Sequence, residues 1–368
     1  MYSKVNDTFE YIFKKGFIMG FNEKFASKIY IGDAGGQAQI IMAPDGVYKY
    51  GGEIEKLTTA RSDLAAATVD NHALFAGGEF DSNKYTSTVD IYDNTLTHSV
   101  ADNLSQARYE LVSARIGKLA LFAGGNSGLN SSVVDAYSGS LTRTNPGNLN
   151  VARTWLAAAS TSTYALFAGG LSSDGITSYV EGYNIALVHV TSVTSLSYAR
   201  YNLAGASVNG YALFAGGYSY GSKKYTFYST VEAYDPSLSR STLTSLRTTK
   251  VDLGGGSSKD YALFAGGFNG TLYSTVDAYP ASLTRITAAD LSHATRTVSI
   301  TSLDNHVLFN NGANVDVYDS DLVRTTISPL SVVRRCQATT VGNYALFGGG
   351  HSDDGYCDNV DAYYAIGG

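Results

Sequence analysis

The chain has 368 residues, of which 44% are hydrophobic and 16% charged, and its formal net charge is -6. This composition is typical of a globular protein with a sizeable core. The acidic balance argues against nucleic acid as the main partner, because a nucleic-acid-binding surface is basic. No stretch is long and apolar enough to span a membrane, so we expect no membrane span.

Residues 1–45 precede the repeats described below and form a predicted N-terminal segment. Charged side chains interrupt Met1–Phe21, so the apolar region of a secretory signal is missing, and we expect synthesis in the cytoplasm without a signal peptide. Met19 is a second candidate start. Cys336 and Cys357 are too few for a disulfide framework; one bridge is conceivable, but free thiols are expected without export.

Within this segment, Lys28–Ala38 reads K-x-Y-I-G followed by G-x-A. It resembles a short module of tail-associated proteins from Firmicutes bacteriophages and prophages. That resemblance implies association with a virion. The alternative interpretation is a plain β-hairpin.

From residue 46 to 368 the chain repeats one phrase, an apolar run that ends in two glycines. The seven copies are Ala73–Gly78, Ala120–Gly125, Ala165–Gly170, Ala212–Gly217, Ala262–Gly267, a degraded Val307–Gly312 and Ala345–Gly350. A period of about 45 residues indicates supersecondary units that bury their apolar faces against one another. Four short β-type runs separated by turn residues fill each unit, which predicts a four-stranded antiparallel meander. The first run is built from small residues, as at Ala65–Ala67 and Gly254–Gly256, which suits strands converging on an axis.

The third run of each unit carries an acidic residue two positions before a tyrosine, as in Asp90 and Tyr92. The pattern resembles the kelch repeat in its diglycine and its tyrosine, and it departs from kelch at the fourth-strand tryptophan. That place is held by His98, Arg143, His189, Arg240, Arg285 and Arg324. We expect these cations to pair with the third-strand carboxylates. The resemblance implies a seven-bladed, all-β propeller.

The last unit ends at its third strand, Val360–Tyr363, with too few residues left for a fourth. Val47–Tyr50 lies upstream of the first unit and is followed by the same type of linker that follows every fourth strand. We therefore predict that this N-terminal strand completes the last blade and closes the ring, which removes exposed sheet edges.

The linker before each first strand ends in a cation, at Arg61, Arg108, Arg153, Arg200, Lys250 and Arg334, and in the sixth unit the cation is shifted to Arg296. In kelch adaptors that capture acidic peptides, arginines in this position hold ligand carboxylates. The resemblance implies a ring of cations at the channel mouth that could bind an anionic group. The alternative is structural, with each arginine tying its linker to backbone carbonyls or to a neighbouring acid.

The loops between second and third strands vary and are rich in Tyr, Asn and Asp, a composition suited to sugars or protein surfaces. The candidate ligand-binding residues there are Tyr85, Tyr218, Tyr220, Phe268, Asn269 and Tyr273. His351, Asp353 and Asp354 match no standard metal spacing, and we predict no metal site, cofactor or catalytic residue.

These observations predict a non-enzymatic binding module, associated with a phage or prophage tail, that recognises a surface glycan or protein. Two alternatives stay open. One is a sugar-modifying enzyme, because some bacterial kelch proteins are sialic acid epimerases. The other is an intracellular scaffold that grips acidic peptides.

Overall fold

The computed structural model of the protein describes residues 28–34, 37–43, 47–221 and 224–366. The chain divides into two compact units, one formed by Tyr48–Ala365 and the other by Met1–Val47 with Ile366–Gly368. In the smaller unit, Lys28–Ala34 and Gln37–Ala43 pair as an antiparallel hairpin. The alternative start at Met19 lies outside the described residues.

The larger unit is a β-propeller of seven four-stranded antiparallel blades, as predicted. The first strands are Ala65–Val69, Val112–Ile116, Ala157–Ser160, Ala204–Val208, Gly254–Ser257, Ser299–Leu303 and Arg335–Val341. The second strands are His72–Ala76, Leu119–Ala123, Tyr164–Ala168, Tyr211–Ala215, Tyr261–Ala265, His306–Asn310 and Tyr344–Ser352. The third strands are Val89–Asp93, Val134–Tyr137, Val180–Asn184, Val231–Tyr234, Val276–Pro280, Val315–Tyr318 and Val360–Ile366. The fourth strands are His98–Val100, Arg143–Thr144, His189–Val190, Arg240–Thr242, Ile286–Thr287, Arg324–Ile327 and, for the seventh blade, Val47–Glu53.

Short hairpins extend the connection between the second and third strands in four blades. They are formed by Glu79–Asp81 with Lys84–Tyr85, Leu171–Ser172 with Gly175–Ile176, Tyr218–Gly221 with Lys224–Phe227, and the end of Tyr344–Ser352 with Gly355–Tyr356. The described residues contain no helix that is long and apolar enough to cross a membrane.

The core lies between neighbouring blades. One cluster, for example, packs Leu74 and Val89 of the first blade against Phe122 and Tyr137 of the second. In the second blade Phe122 lies opposite Asp135 in the strand register, and its ring packs edge-on against Tyr137 at a centroid distance of 5.8 Å. The same pairing of phenylalanine and tyrosine recurs in all seven blades. Each blade therefore buries its apolar face against its neighbour, as the repeat predicts.

The first strands of successive blades contact one another in a closed ring around the axis. A Cβ at Gly205 would collide with the backbone of Ala158, and one at Gly255 would collide with the backbone of Gly205. The small residues of the first run are thus required by close approach at the axis, which confirms the sequence interpretation.

The diglycine links each blade to the next. In the first blade Gly77 adopts a φ of +68°, and a Cβ there would lie 2.6 Å from the carbonyl oxygen of Arg108 in the next linker. The N–H of Gly78 donates a 2.9 Å hydrogen bond to that same oxygen. A side chain at Gly77 would therefore displace the linker on which the neighbouring blade depends.

The ring closes through the N-terminal strand, as predicted. Val47–Glu53 pairs with the third strand of the last blade. The hydroxyl of Tyr48 donates to the carbonyl of Leu303 at 2.8 Å, and that of Tyr50 donates to Asp361 at 2.6 Å. The borrowed strand thus supplies core packing and a partner for the last carboxylate.

Candidate functional site

The linkers and the connections between second and third strands meet on one face of the propeller, which we call the hairpin face. The residue after each linker cation forms a β-bridge with the residue after the diglycine of the same blade. These bridges join Ser62 to Glu79, Tyr109 to Asn126, Thr154 to Leu171, Tyr201 to Tyr218 and Val251 to Phe268. The variable loops are therefore set on a fixed backbone frame.

The six predicted linker cations do not form an open ring at the channel mouth. Arg61, Arg108, Arg153, Arg200, Lys250 and Arg334 are all buried inside their blades. Their charged groups lie 2.6 to 3.8 Å from the third-strand carboxylates. The arginines also donate to the carbonyl of the second-strand phenylalanine, as Arg108 does to Phe122 at 3.2 Å. The structural alternative holds for this set, because the carboxylate and the carbonyls already use the guanidinium groups.

A histidine or an arginine at or just before the start of the outer strand reaches six of the third-strand carboxylates. The pairs are His98–Asp90, Arg143–Asp135, His189–Glu181, Arg240–Glu232, Arg285–Asp277 and Arg324–Asp316, at 2.7 to 3.9 Å. This confirms the predicted role of the fourth-strand cations. In the seventh blade the hydroxyl of Tyr50 takes that place on Asp361.

Each carboxylate also fixes the linker backbone. In all seven blades it accepts the N–H of the linker residue three positions before the cation site: Thr58, Ser105, Asn150, Ser197, Arg247, Ser292 and Ser331. The third-strand tyrosine donates its hydroxyl to a carbonyl in the preceding linker, as Tyr137 does to Asp102 at 2.9 Å. The acidic-x-Tyr motif therefore positions the linker, and with it the hairpin face.

Burial shifts the pKa of the linker cations in a common direction. It lowers the pKa of Arg108, Arg153 and Arg200, and the partner carboxylates oppose this shift. Burial also lowers the pKa of Lys250 to about 8, with Asp277 opposing it. The ammonium group of Lys250 lies 3.8 Å from Asp277, farther than the arginines lie from their partners.

The sixth blade departs from this scheme. Thr295 stands where the linker cation is expected, and Asp316 instead accepts the amide of Asn311 at 2.7 Å and the hydroxyl of Ser292 at 3.0 Å. The preceding Asn310 donates its side-chain amide to the carbonyl of Arg334 in the next linker. In the other blades the equivalent linker carbonyl accepts a glycine N–H, as the carbonyl of Arg108 does from Gly78. The two asparagines of the degraded phrase therefore replace both the missing arginine and the missing inter-blade bond.

This departure opens a cavity of about 1190 Å³ on the hairpin face. Only Asn311–Asn314 joins the second and third strands of the sixth blade, so no hairpin fills the space there. Residues of the first, fifth, sixth and seventh blades line the cavity, among them Asp63, Glu79, Phe268, Arg296, Arg335, His351, Asp353 and Tyr356. Three cations line the cavity, Arg296, Arg334 and Arg335. Of these, Arg334 belongs to the buried linker set and pairs with Asp361 at 2.7 Å.

Two of the predicted loop residues of the fifth blade have internal roles. Tyr273 donates its hydroxyl to the side chain of Asn269 at 2.9 Å, and Asn269 donates to the carbonyl of Thr249 at 2.8 Å. Their neighbour Phe268 lines the cavity, and the guanidinium of Arg296 lies over its ring at 5.4 Å from the centroid. Of these three predictions, the structure brings Phe268 alone into the cavity.

The predicted residues Tyr218 and Tyr220 belong to a row of aromatic rings on the third and fourth blades. Trp155 stacks on Tyr201 at 5.5 Å, Tyr201 lies 4.1 Å from Tyr218, and Tyr220 lies 4.9 Å from Tyr225. The rings of Tyr218 and Tyr225 are 5.7 Å apart, so the row continues along the hairpin. We call it the aromatic row.

A second cavity, of about 650 Å³, lies beside the aromatic row. It is lined by Leu171, Gly175, Ile176, Ala199, Tyr201, Ser219, Tyr220 and Tyr228, none of which is charged. The remaining predicted loop residue, Tyr85, lines neither cavity and stacks on Tyr109 with ring centroids 4.7 Å apart.

The mouth of the channel carries a set of residues that the sequence interpretation missed. The residue two positions after each linker cation site has a positive φ in six blades: Asp63, Glu110, Trp155, Asn202, Asp252 and Thr297. Several are joined by backbone hydrogen bonds, such as that from Glu110 N to Asp63 O at 2.8 Å. Their fixed offset from the linker cation was the available signal. Non-glycine residues in this conformation are strained and concentrate at functional sites.

Two carboxyl groups of this set are perturbed. Burial raises the pKa of Glu110, although the hydroxyl of Thr154 donates to the carboxyl at 2.8 Å and opposes the shift. Burial also raises the pKa of Asp252, opposed by Arg296 and by the Asn202 amide that donates to it at 3.0 Å.

Cys336 and Cys357 are both free and buried, so the conceivable bridge is not formed. Burial raises the pKa of the Cys336 thiol. His351, Asp353 and Asp354 do not come together: within the described ranges no group of three or more His, Cys, Asp or Glu residues is arranged to hold a metal ion.

Comparison with known proteins supports the fold. No protein-family model and no curated protein matches the chain. Among solved structures 783 chains match. One, described as "Structure of YjhT", has a TM-score of 0.52 and 11% identity over 84% of this chain and 95% of its own. At that identity the likeness shows a shared architecture, so the larger unit of the chain is a seven-bladed β-propeller, consistent with the kelch type.

Proposed function

We propose that the protein is a non-enzymatic binding module that recognises a surface glycan or protein through its hairpin face. The aromatic row carries this proposal. Tyr220 and Tyr225 are 51% and 56% exposed at one end of the row, while Tyr201, between Trp155 and Tyr218, is buried. Tyrosine and tryptophan rings held by contacts with one another offer apolar faces together with polar edges, and they lose little conformational entropy on binding.

The charged residues of the repeat support a binding role more than a catalytic one. The third-strand carboxylates and the linker cations are buried in ion pairs that hold each linker to its blade. This leaves the variable loops as the part of the face that differs from blade to blade. Variable loops on a regular scaffold are the usual place of recognition.

The proposal includes association with a phage or prophage tail. Its support is the resemblance of Lys28–Ala38 to the tail-protein module, and the strands Lys28–Ala34 and Gln37–Ala43 span that segment. Co-sedimentation of the protein with purified particles from the producing strain tests this part. Recovery of the protein only in the particle-free fraction would contradict it.

The binding proposal is tested with a glycan array and a pull-down from bacterial envelopes. We expect the wild-type protein to retain a ligand and the double variant Tyr220→Ala, Tyr225→Ala to lose it by about tenfold or more, since each stacked ring contributes about 1 kcal/mol. Val188→Ala is the matched control, because Val188 is 56% exposed in the turn between third and fourth strands on the opposite face. Silence of the wild-type protein in both assays would overturn the proposal.

A sugar-modifying enzyme is the second candidate, and the carboxyls at the channel mouth favour it. Burial raises the pKa of Glu110 and of Asp252, the direction that lets a carboxyl carry a proton near neutral pH. NMR of sialic acid anomers with the protein would detect accelerated mutarotation. Loss of that activity in Glu110→Gln and in Asp252→Asn would favour the enzyme. The acidic-peptide alternative was based on accessible linker arginines, and these arginines are buried.

A further inference from the structure

We propose that Arg296 and Arg335 form an anion site in the large cavity and grip the carboxylate of an acidic sugar. This inference rests on the binding function proposed above and assigns the class of ligand at one part of the hairpin face. It starts from two departures from the repeat rather than from the repeated linker cations.

Arg296 and Arg335 occupy the same position of the repeat in adjacent blades. Each lies one residue after the linker cation site, which is held by Thr295 in the sixth blade and Arg334 in the seventh. In the first five blades the same position is Ser62, Tyr109, Thr154, Tyr201 and Val251. The chain therefore places an arginine at this position in two adjacent blades, and both arginines line the cavity.

These guanidinium groups are not used by the fold. Arg334 donates to the carbonyls of Gly349, Phe347, Asn359 and Val332 and pairs with Asp361 at 2.7 Å. Within the described ranges, the side chains of Arg296 and Arg335 form neither an ion pair nor a hydrogen bond. Both cations lower the pKa of Asp252, against the larger effect of burial, and its carboxyl already accepts the Asn202 amide.

Phe268 positions one of the two cations. The Arg296 guanidinium lies over its ring, and the side chain is half-buried between the fifth and sixth blades. A guanidinium held over the face of an aromatic ring keeps its N–H donors available for another partner. A planar fork of this kind suits bidentate capture of a carboxylate.

The rest of the cavity decides the class of ligand. Asp63 and Glu79 of the first blade and Asp353 of the seventh line it together with the arginines. Carboxylates accept hydrogen bonds from hydroxyl groups and repel a second anion. A ligand that suits both sets of residues carries one anionic group and several hydroxyls. An acidic sugar meets this requirement, whereas a phosphate ion or a strongly acidic peptide would face the three carboxylates.

The test uses the intact protein on an array of carboxylated saccharides, including uronic acid oligomers, printed before and after methyl esterification. Calorimetry with inorganic phosphate accompanies it. We expect binding to the free acids, at least tenfold weaker binding to the esters, and negligible binding of phosphate. Arg296→Gln and Arg335→Gln should each weaken binding about 10- to 100-fold, the range that corresponds to a lost hydrogen bond with a charged group.

Two variants make the test specific. Lys118→Gln removes one positive charge at an exposed turn outside both cavities and should leave binding unchanged. Arg296→Lys keeps the charge without the planar fork and should fall between wild type and Arg296→Gln. Thermal midpoints should stay near that of wild type in all four variants, since within the described ranges these side chains form no buried ion pair or hydrogen bond.

The outcomes separate this inference from the proposed function. Binding of glycans with equal affinity for acid and ester, or with no loss in Arg296→Gln and Arg335→Gln, would overturn the anion site and leave the binding function standing. Equal binding of phosphate would overturn the choice of an acidic sugar. Absence of binding to every glycan and envelope fraction would overturn both.

Discussion

Asp135 is held by two arginines in different environments, and this allows a matched pair of substitutions. Arg108 approaches it at 2.8 Å and is fully buried, whereas Arg143 approaches it at 3.3 Å and is 32% exposed. We predict that Arg108→Ala destabilises the propeller far more than Arg143→Ala. Both changes remove one cation from the same carboxylate, so the difference reports burial.

The magnitude follows from what each variant leaves behind. Without Arg108, Asp135 keeps only the Ser105 N–H and the partly exposed Arg143, and the carbonyl of Phe122 loses a donor. Removing one partner of a buried ion pair costs about 3–5 kcal/mol. Removing an exposed partner costs about 0–1 kcal/mol. Domains are stable by about 5–15 kcal/mol, so the first change uses a large share of that stability.

Equilibrium unfolding in urea measures both variants, and a third variant checks the cause. In Arg108→Ala, Asp135→Asn the stranded charge is absent, so part of the lost stability should return. Equal free energies of unfolding for Arg108→Ala and Arg143→Ala would refute the reasoning. A double variant less stable than Arg108→Ala would show that the stranded charge is not the cause.

Three further predictions concern closure, pH and the sixth blade. Deleting residues 1–55 should cause aggregation or a large fall in the thermal midpoint, because the borrowed strand and its buried Tyr48 are lost, whereas deleting 1–18 should be nearly silent in calorimetry. For pH, burial lowers the folded-state pKa of Lys250 to about 8, below its unfolded value. The free energy of unfolding should therefore rise between pH 8 and pH 10.5, by about 3 kcal/mol at most, and Lys250→Arg should remove this rise in urea titrations. In the sixth blade, Asn311→Gly should lower the free energy of unfolding by about 1–3 kcal/mol, because it removes a hydrogen-bond donor from the buried carboxylate of Asp316. Adding Thr295→Arg should recover stability in the same assay, and failure of that rescue would mean that the asparagine has another role.

The strands and their order could be predicted because the same sequence pattern of strand-forming and turn-forming residues recurs in seven units. The diglycine, the small first strand and the acidic-x-Tyr motif each map onto one structural position. The strand boundaries could not be predicted in the same way: the fourth strand of the second blade begins at Arg143 and excludes the nearby Leu141, because Leu141 adopts a φ of +62° in the preceding turn. Nothing in the residue type announces this, since leucine rarely adopts positive φ.

The candidate site was harder to predict because it depends on which face of the backbone each linker residue points to. A regular cation pattern looks the same whether the side chains point into the blade or into the channel. The acidic residue on every third strand was the deciding clue, since a buried cation needs a partner at each repeat. Regular recurrence at Arg61, Arg108 and Arg153 therefore indicates structure, and it is the irregular Arg296 that is left free for binding.

The sixth blade connects these two points. A shift of one residue along the linker exchanges an interior position for a cavity position, because successive residues of an extended chain point in opposite directions. The shift removes Arg296 from the interior, and Asn310 and Asn311 then supply the bonds that the blade would lack. The same two residues end the strand in a short turn instead of a hairpin, which leaves the cavity open in front of Arg296. The irregular sixth copy of the repeat thus accounts for the replaced bonds, the open space and the free charge together, and this is why we place the anionic group of the ligand there rather than at the repeated cations.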